Sequence, residues 1–172
     1  MGLRFTVGGT KGTFEDGFAA EMAEVLEHAF GAEGDWEGLP PQGFGELTAS
    51  DWDCLQKAAI AELGAENLPN LMALDAKGRG VFLPTPVQAL RLEHSRGSLD
   101  CASLPGLRNE LAELAPRWGI EIDDSSLILL VRQTSESATM DLADAPEIGA
   151  FARLSLAANE AVRRDCPLWI IV

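Results

Sequence analysis

The chain has no tyrosine, two histidines, and only 13 lysines and arginines in 172 residues, against 27 aspartates and glutamates. So few cations nearly exclude a direct binder of nucleic acid or anionic membrane, because phosphate contacts need clustered positive charge. No apolar run approaches the roughly 20 residues of a spanning helix, so an integral membrane protein is not expected. Two histidines leave few ways to build a Ser-His-Asp or Cys-His site, and no G-x-S-x-G elbow occurs. His28 falls on the charged face of a helix, and His94 follows an apolar alternation as a core histidine would.

Cys54, Cys101 and Cys166 are odd in number and far apart. That pattern fits a reducing compartment and buried small hydrophobes rather than a disulfide framework. No short C-x-x-C or H-x-x-x-H spacing offers zinc a site, and no D-x-[DN]-x-[DN]-G loop offers one to calcium. No cofactor or metal is therefore expected. Carboxylates are plentiful, but nothing nominates one catalytic pair among 27 acids. The N-terminal stretch lacks the charged-then-apolar pattern of a signal peptide, which predicts a cytoplasmic protein. Residues 1–6 formally fit a myristoylation pattern, though strand burial of Leu3 and Phe5 accounts for them.

What is present is a foldable core and an uneven charge. Apolar residues make up 47% and charged residues 23%, enough for one globular domain spanning 1–172. The formal net charge is −14. Between Lys11 and Lys57 there is no lysine or arginine, while eleven acids lie there: Glu15, Asp16, Glu21, Glu24, Glu27, Glu33, Asp35, Glu37, Glu46, Asp51 and Asp53. A weaker acidic cluster runs from Glu121 to Glu147, opposed only by Arg132. Such acidity serves solubility, or it steers a basic partner.

Residues 3–7 predict a strand, followed by the turn Gly8-Gly9-Thr10-Lys11-Gly12. Thr13 and Asp16 have capping-box spacing. Phe18, Met22, Val25, Leu26, Ala29 and Phe30 then recur at helical period up to Gly31. Residues 31–49, with five glycines and Pro40-Pro41, read as a long loop. A second helix runs from Ser50 or Asp51 to Leu63. Residues 71–74 and 81–83 read as a hairpin. In 85–96, Pro86 fits a helix start, but Leu90, Leu92 and His94 alternate, which favours a strand. Ser103 caps a helix through Trp118 that Pro116 kinks or shortens. The apolar run 126–132 predicts a central buried strand. Pro146 opens a last helix, preceded and capped by Asp141, Asp144 and Glu147, and 168–172 is a terminal strand. Together these predict an α/β or α+β fold: a single mixed sheet of five or six strands packed with about four helices.

Two functions are compatible with this pattern. The first is a non-enzymatic protein whose acidic half engages a basic protein, as an antitoxin or immunity-type inhibitor or a regulatory adaptor would. Its contact residues would be Glu21, Glu24, Glu33, Asp35, Trp36, Glu37, Phe44 and Glu46, because aromatic anchors within a charged rim dominate interface energetics. The alternative is a small-ligand protein or enzyme. It would hold an anion at Gly9, Thr10, Lys11 and Gly12, where a glycine turn meets a helix N-terminus. That turn matches neither G-x-G-x-x-G nor the P-loop spacing.

Overall fold

Four of the six strands bury successive side chains on opposite faces of one mixed sheet, so the chain needs helices on both sides. A computed structural model describes residues 2–31, 36, 40–136 and 145–172, the side chain of Glu136 excepted. The strands are β1 (Gly2–Val7), β2 (Gln42–Thr48), β3 (Arg79–Leu83), β4 (Leu90–His94), β5 (Gly97–Ser103) and β6 (Leu168–Ile171). Their order is β2-β1-β6-β3-β5-β4. Only β3 and β5 pair in parallel; the other neighbours are antiparallel. The helices are α1 (Asp16–Phe30), α2 (Ala49–Leu63), α3 (Leu104–Leu114), α4 (Asp124–Glu136) and α5 (Pro146–Arg164).

Strand alternation divides the core. Val81, Leu83, Leu99, Cys101, Trp169 and Ile171 face α1, meeting Phe18, Met22 and Leu26. Phe82, Ala102, Leu168 and Ile170, together with Leu3, Phe5 and Val7, face the other way, onto buried residues of α2, α3 and α5. Helix α4 lies against α5. The α/β class, the single mixed sheet and the number of strands agree with the sequence pattern.

Four local expectations are corrected. Residues 42–48, read as loop, form the edge strand β2. Its glycines have low strand propensity, but pairing with β1 overrides it, and a bulge opposite residues 4–6 absorbs Gly45 at φ 88°. Residues 126–132, read as a buried strand, lie in helix α4. Of the apolar run only Leu127 is fully buried, while Ile128 and Leu129 are 43% and 55% exposed. An Asp123 carboxylate oxygen accepts from Ser126 N at 3.0 Å and so starts the helix.

Residues 71–74 form turns and not a hairpin strand. Leu68, Leu71 and Leu74 are buried at a spacing of three. The carbonyl of Leu74 accepts from Trp52 Nε1 and Gln56 Nε2, and that of Leu71 from Gln56 Nε2. Glu110 on α3 completes the clamp: its carboxylate accepts from Asn70 N, Asn70 Nδ2 and Leu71 N, each at 2.8 Å. Burial pushes the Glu110 carboxyl up, and those three donors pull it partly back. Finally, Thr13 is not the cap of α1. Its hydroxyl donates to Gly9 O at 2.7 Å, and Glu15 takes the N-cap position without a side-chain bond to the helix backbone. The reciprocal capping box forms instead at Thr48 and Asp51 on α2.

Other expectations agree. Gly31 caps α1 in the left-handed region at φ 58°. Ser103 Oγ accepts from Gly106 N, and the helix it starts tightens to a 3-10 turn at Ala115–Trp118, around Pro116. Residues 90–103 form the β4–β5 hairpin. Pro146 opens α5, although its cap is Ala145 with no side-chain bond; Asp141 and Asp144 lie outside the described residues.

The turn after β1 supplies a direct test of this packing. Gly8 has φ 150°, and a Cβ there would lie 2.9 Å from the Cα of Pro41. Gly8→Ala is expected to cost about 1–3 kcal/mol, measured by urea unfolding. A Gly17→Ala control, where a Cβ meets nothing within 4 Å, should be neutral or slightly stabilising.

Candidate functional site

The first turn is built around its own contacts. Gly8 N donates to Pro167 O at 3.1 Å, and Gly8 O accepts from Trp169 Nε1 at 3.0 Å. Thr10 is buried, and its carbonyl accepts from Thr13 N and Phe14 N. Gly12, at φ 83°, packs on the Pro41 ring. Close approach to Pro41 therefore explains Gly8 and Gly12 without a phosphate. Of the residues named for an anion, Gly9 offers its carbonyl to Thr13, Thr10 is enclosed, and Lys11 is exposed at the mouth of a neighbouring groove.

That groove runs between the turn and α1, with a volume of about 550 Å³. Its floor is Ala19, Ala20 and Ala23, and its acidic rim is Asp16, Glu24 and Glu27. Helical periodicity places these residues: positions 16, 20, 23, 24 and 27 share one side of a 3.6-residue helix. Lys11 is the lone cation in this lining. Asp16 and Glu27 are not among the eight contact residues expected from the sequence, yet their helical spacing from Glu24 was readable there.

The other predicted contact residues scatter. Glu21 faces the β4–β5 hairpin, where its carboxylate accepts from Ser95 N and Ser95 Oγ, both at 2.6 Å. Those two bonds hold its carboxyl below the ordinary glutamate range, with His94 and Arg96 adding attraction. Phe44 is half-buried against the core on the α5 side of β2. Glu46 is exposed on that strand and borders a separate pocket with Thr134, Ser135 and Arg153. Trp36 is half-buried and touches the cores on both sides of the sheet. Glu33, Asp35 and Glu37 lie outside the described residues. Of the five that are described, Glu24 is the one that lines the α1 groove.

Burial pushes the Cys101 thiol up to about 12 and the Cys166 thiol up to about 11, so both are protonated and unreactive near neutral pH. Cys54 is half-buried, and all three are free thiols. His28 is exposed. The His94 ring meets Phe18 at a tilt of 60° with centroids 5.3 Å apart, and its Nδ1 accepts from Arg96 N. Its Nε2 is enclosed without a hydrogen-bond partner among the described residues, so it is only half-satisfied. No group of three or more His, Cys, Asp or Glu among the described residues is arranged to hold a metal ion. No described helix is long and apolar enough to cross a membrane. No protein-family model, curated protein or solved structure matches the chain.

Glu21 separates an internal role from a binding role. Its carboxyl is depressed in the folded protein, so the bond it makes to the hairpin is complete above the ordinary glutamate range. The bond is lost as pH falls through the depressed value. The Ser95 amide shift in NMR should titrate with a midpoint below the ordinary value of an exposed glutamate. A midpoint at or above the exposed value would contradict the assignment.

Proposed function

We propose that this protein binds a basic segment of another protein in the groove along α1. The observation that supports the reading is the placement of Asp16, Glu24 and Glu27 around an alanine floor, within the 45-residue stretch from which lysine and arginine are missing. Small side chains let another chain approach the helix closely, and the carboxylates complement its charge. Potential of one sign raises encounter rates and disfavours acidic competitors. An antitoxin, an immunity-type inhibitor or a regulatory adaptor would each use such a surface. The reading is narrower than the eight-residue patch, because Glu21 is engaged by the hairpin and Phe44 by the core.

A Lys- and Arg-rich amphipathic peptide serves as the probe, its binding followed by fluorescence anisotropy at low and high salt. The wild type should bind saturably, and added salt should weaken binding. Glu24→Lys combined with Glu27→Lys should slow association by about tenfold or more at low salt. The same charge change made on α2, Asp53→Lys with Glu62→Lys, should have a much smaller effect. Equal losses from both pairs would mean that overall acidity attracts the peptide and that the groove has no part in it.

A further inference from the structure

The scarce cations are not all spent on the abundant acids. Among the described residues Arg91, Arg96 and Arg163 form ion pairs, with Asp100, Glu15, and Asp124 and Glu160 respectively. Lys77 and Arg79 have no carboxylate within ion-pair distance among the described residues, although acids outnumber cations two to one in the chain. Both border one pocket of about 350 Å³, together with Arg96, Ser98, the exposed Val172 and the backbone of Gly78 and Gly97. The topology brings them together: Arg79 starts β3, Gly97 starts its parallel neighbour β5, and Arg96 sits in the β4–β5 turn.

The arginines are held in place. Both guanidiniums lie over the Phe18 ring, Arg79 at 5.1 Å and Arg96 at 4.5 Å from its centroid. Arg79 Nη1 also donates to the Arg96 carbonyl at 3.4 Å. Glu15 pairs with the Arg96 side chain, and Glu21 fixes the turn through Ser95. Two like charges thus share one ring, one of them uncompensated, and rigid donors of this kind bind an anion with little ordering cost.

We infer that this pocket binds a phosphate monoester of a small molecule through Arg79, Lys77 and Arg96. The planar fork of Arg79 suits two oxygens of the group, and Lys77 supplies a second charge. Those two uncompensated cations match the charge of about −1.5 to −2 that a phosphate monoester carries at neutral pH. The pocket volume falls at the lower end of small-ligand sites, about 300–1,000 Å³, leaving space for an organic group beside the phosphate. This site is separate from the α1 groove and does not depend on the reading proposed for it.

The test is an NMR and calorimetric titration with glycerol 3-phosphate, inorganic phosphate and acetate at constant ionic strength. Saturable shifts at Arg79, Arg96, Gly97 and Ser98 with both phosphates, and weaker ones with acetate, are expected. Arg79→Gln should weaken glycerol 3-phosphate binding by about tenfold or more, and Lys77→Gln by about fivefold. Unchanged thermal melting shows that the variants fold. If Arg79→Gln unfolds, the exposed Lys77→Gln decides alone. Absence of saturable binding to the wild type, or equal affinity in the folded variants, would overturn the site. Acetate binding as tight as phosphate would overturn the assignment to a phosphate ester.

Discussion

Strand β6 is the joint on which the structure depends. Among the described strands it is the one that pairs with both β1 and β3, joining β2–β1 to β3–β5–β4 within the sheet. Its four residues are buried, with Leu168 and Ile170 in one core and Trp169 and Ile171 in the other. An all-apolar strand of this kind belongs inside a sheet covered on both faces. The segment leading into it also shapes the first turn. Pro167 O accepts from Gly8 N, Trp169 Nε1 donates to Gly8 O, and Arg164 reaches Val7 O and Pro40 O. Phe14 then meets Trp169 edge-on at 5.0 Å. The entry of α1, and with it the acidic groove, therefore rests on the far end of the chain.

Helix α1 spends its acids in two directions. Glu15 and Glu21 point to the β4–β5 turn and neutralise or fix it, while Asp16, Glu24 and Glu27 surround the groove. The excess charge of the sequence is thus partly internal scaffolding. Buried acids follow different rules. Asp100 is compensated by Arg91 at 2.6 Å, and Glu110 by three N–H donors. Because the Glu110 carboxyl is raised, its contribution to stability is complete below the ordinary glutamate range and declines as pH rises through its folded value. Glu21 has the opposite dependence.

Elements with local signals were legible in the sequence. Gly31 after a 3.6-residue apolar period marks α1, Pro146 marks the start of α5, and alternating Leu90, Leu92 and His94 mark β4. Elements set by distant partners were not. Strand β2 has little propensity of its own and exists because β1 offers an edge. The five apolar residues 127–131 fit a strand or a helix equally, and the Asp123 cap, which decides between them, carried the signal that was missed. The four apolar residues of β6 were legible as a strand, but nothing local told that they lie at the centre while the longer run lies on an outer helix. The candidate sites divide similarly. Acids spaced along α1 were readable, whereas Arg79 and Arg96 are 17 positions apart and meet only through sheet pairing and a shared ring.

The dependence on β6 is most directly tested by native-state hydrogen exchange across a denaturant series. If β6 joins the two halves, the amides of β6 and those of β1 and β3 that bond to it should exchange only through global unfolding. They would then show one common free energy, equal to that from equilibrium denaturation. Exchange of the β1–β2 amides at a clearly lower free energy, with β3–β5 still protected, would show that the halves open independently and would contradict the account.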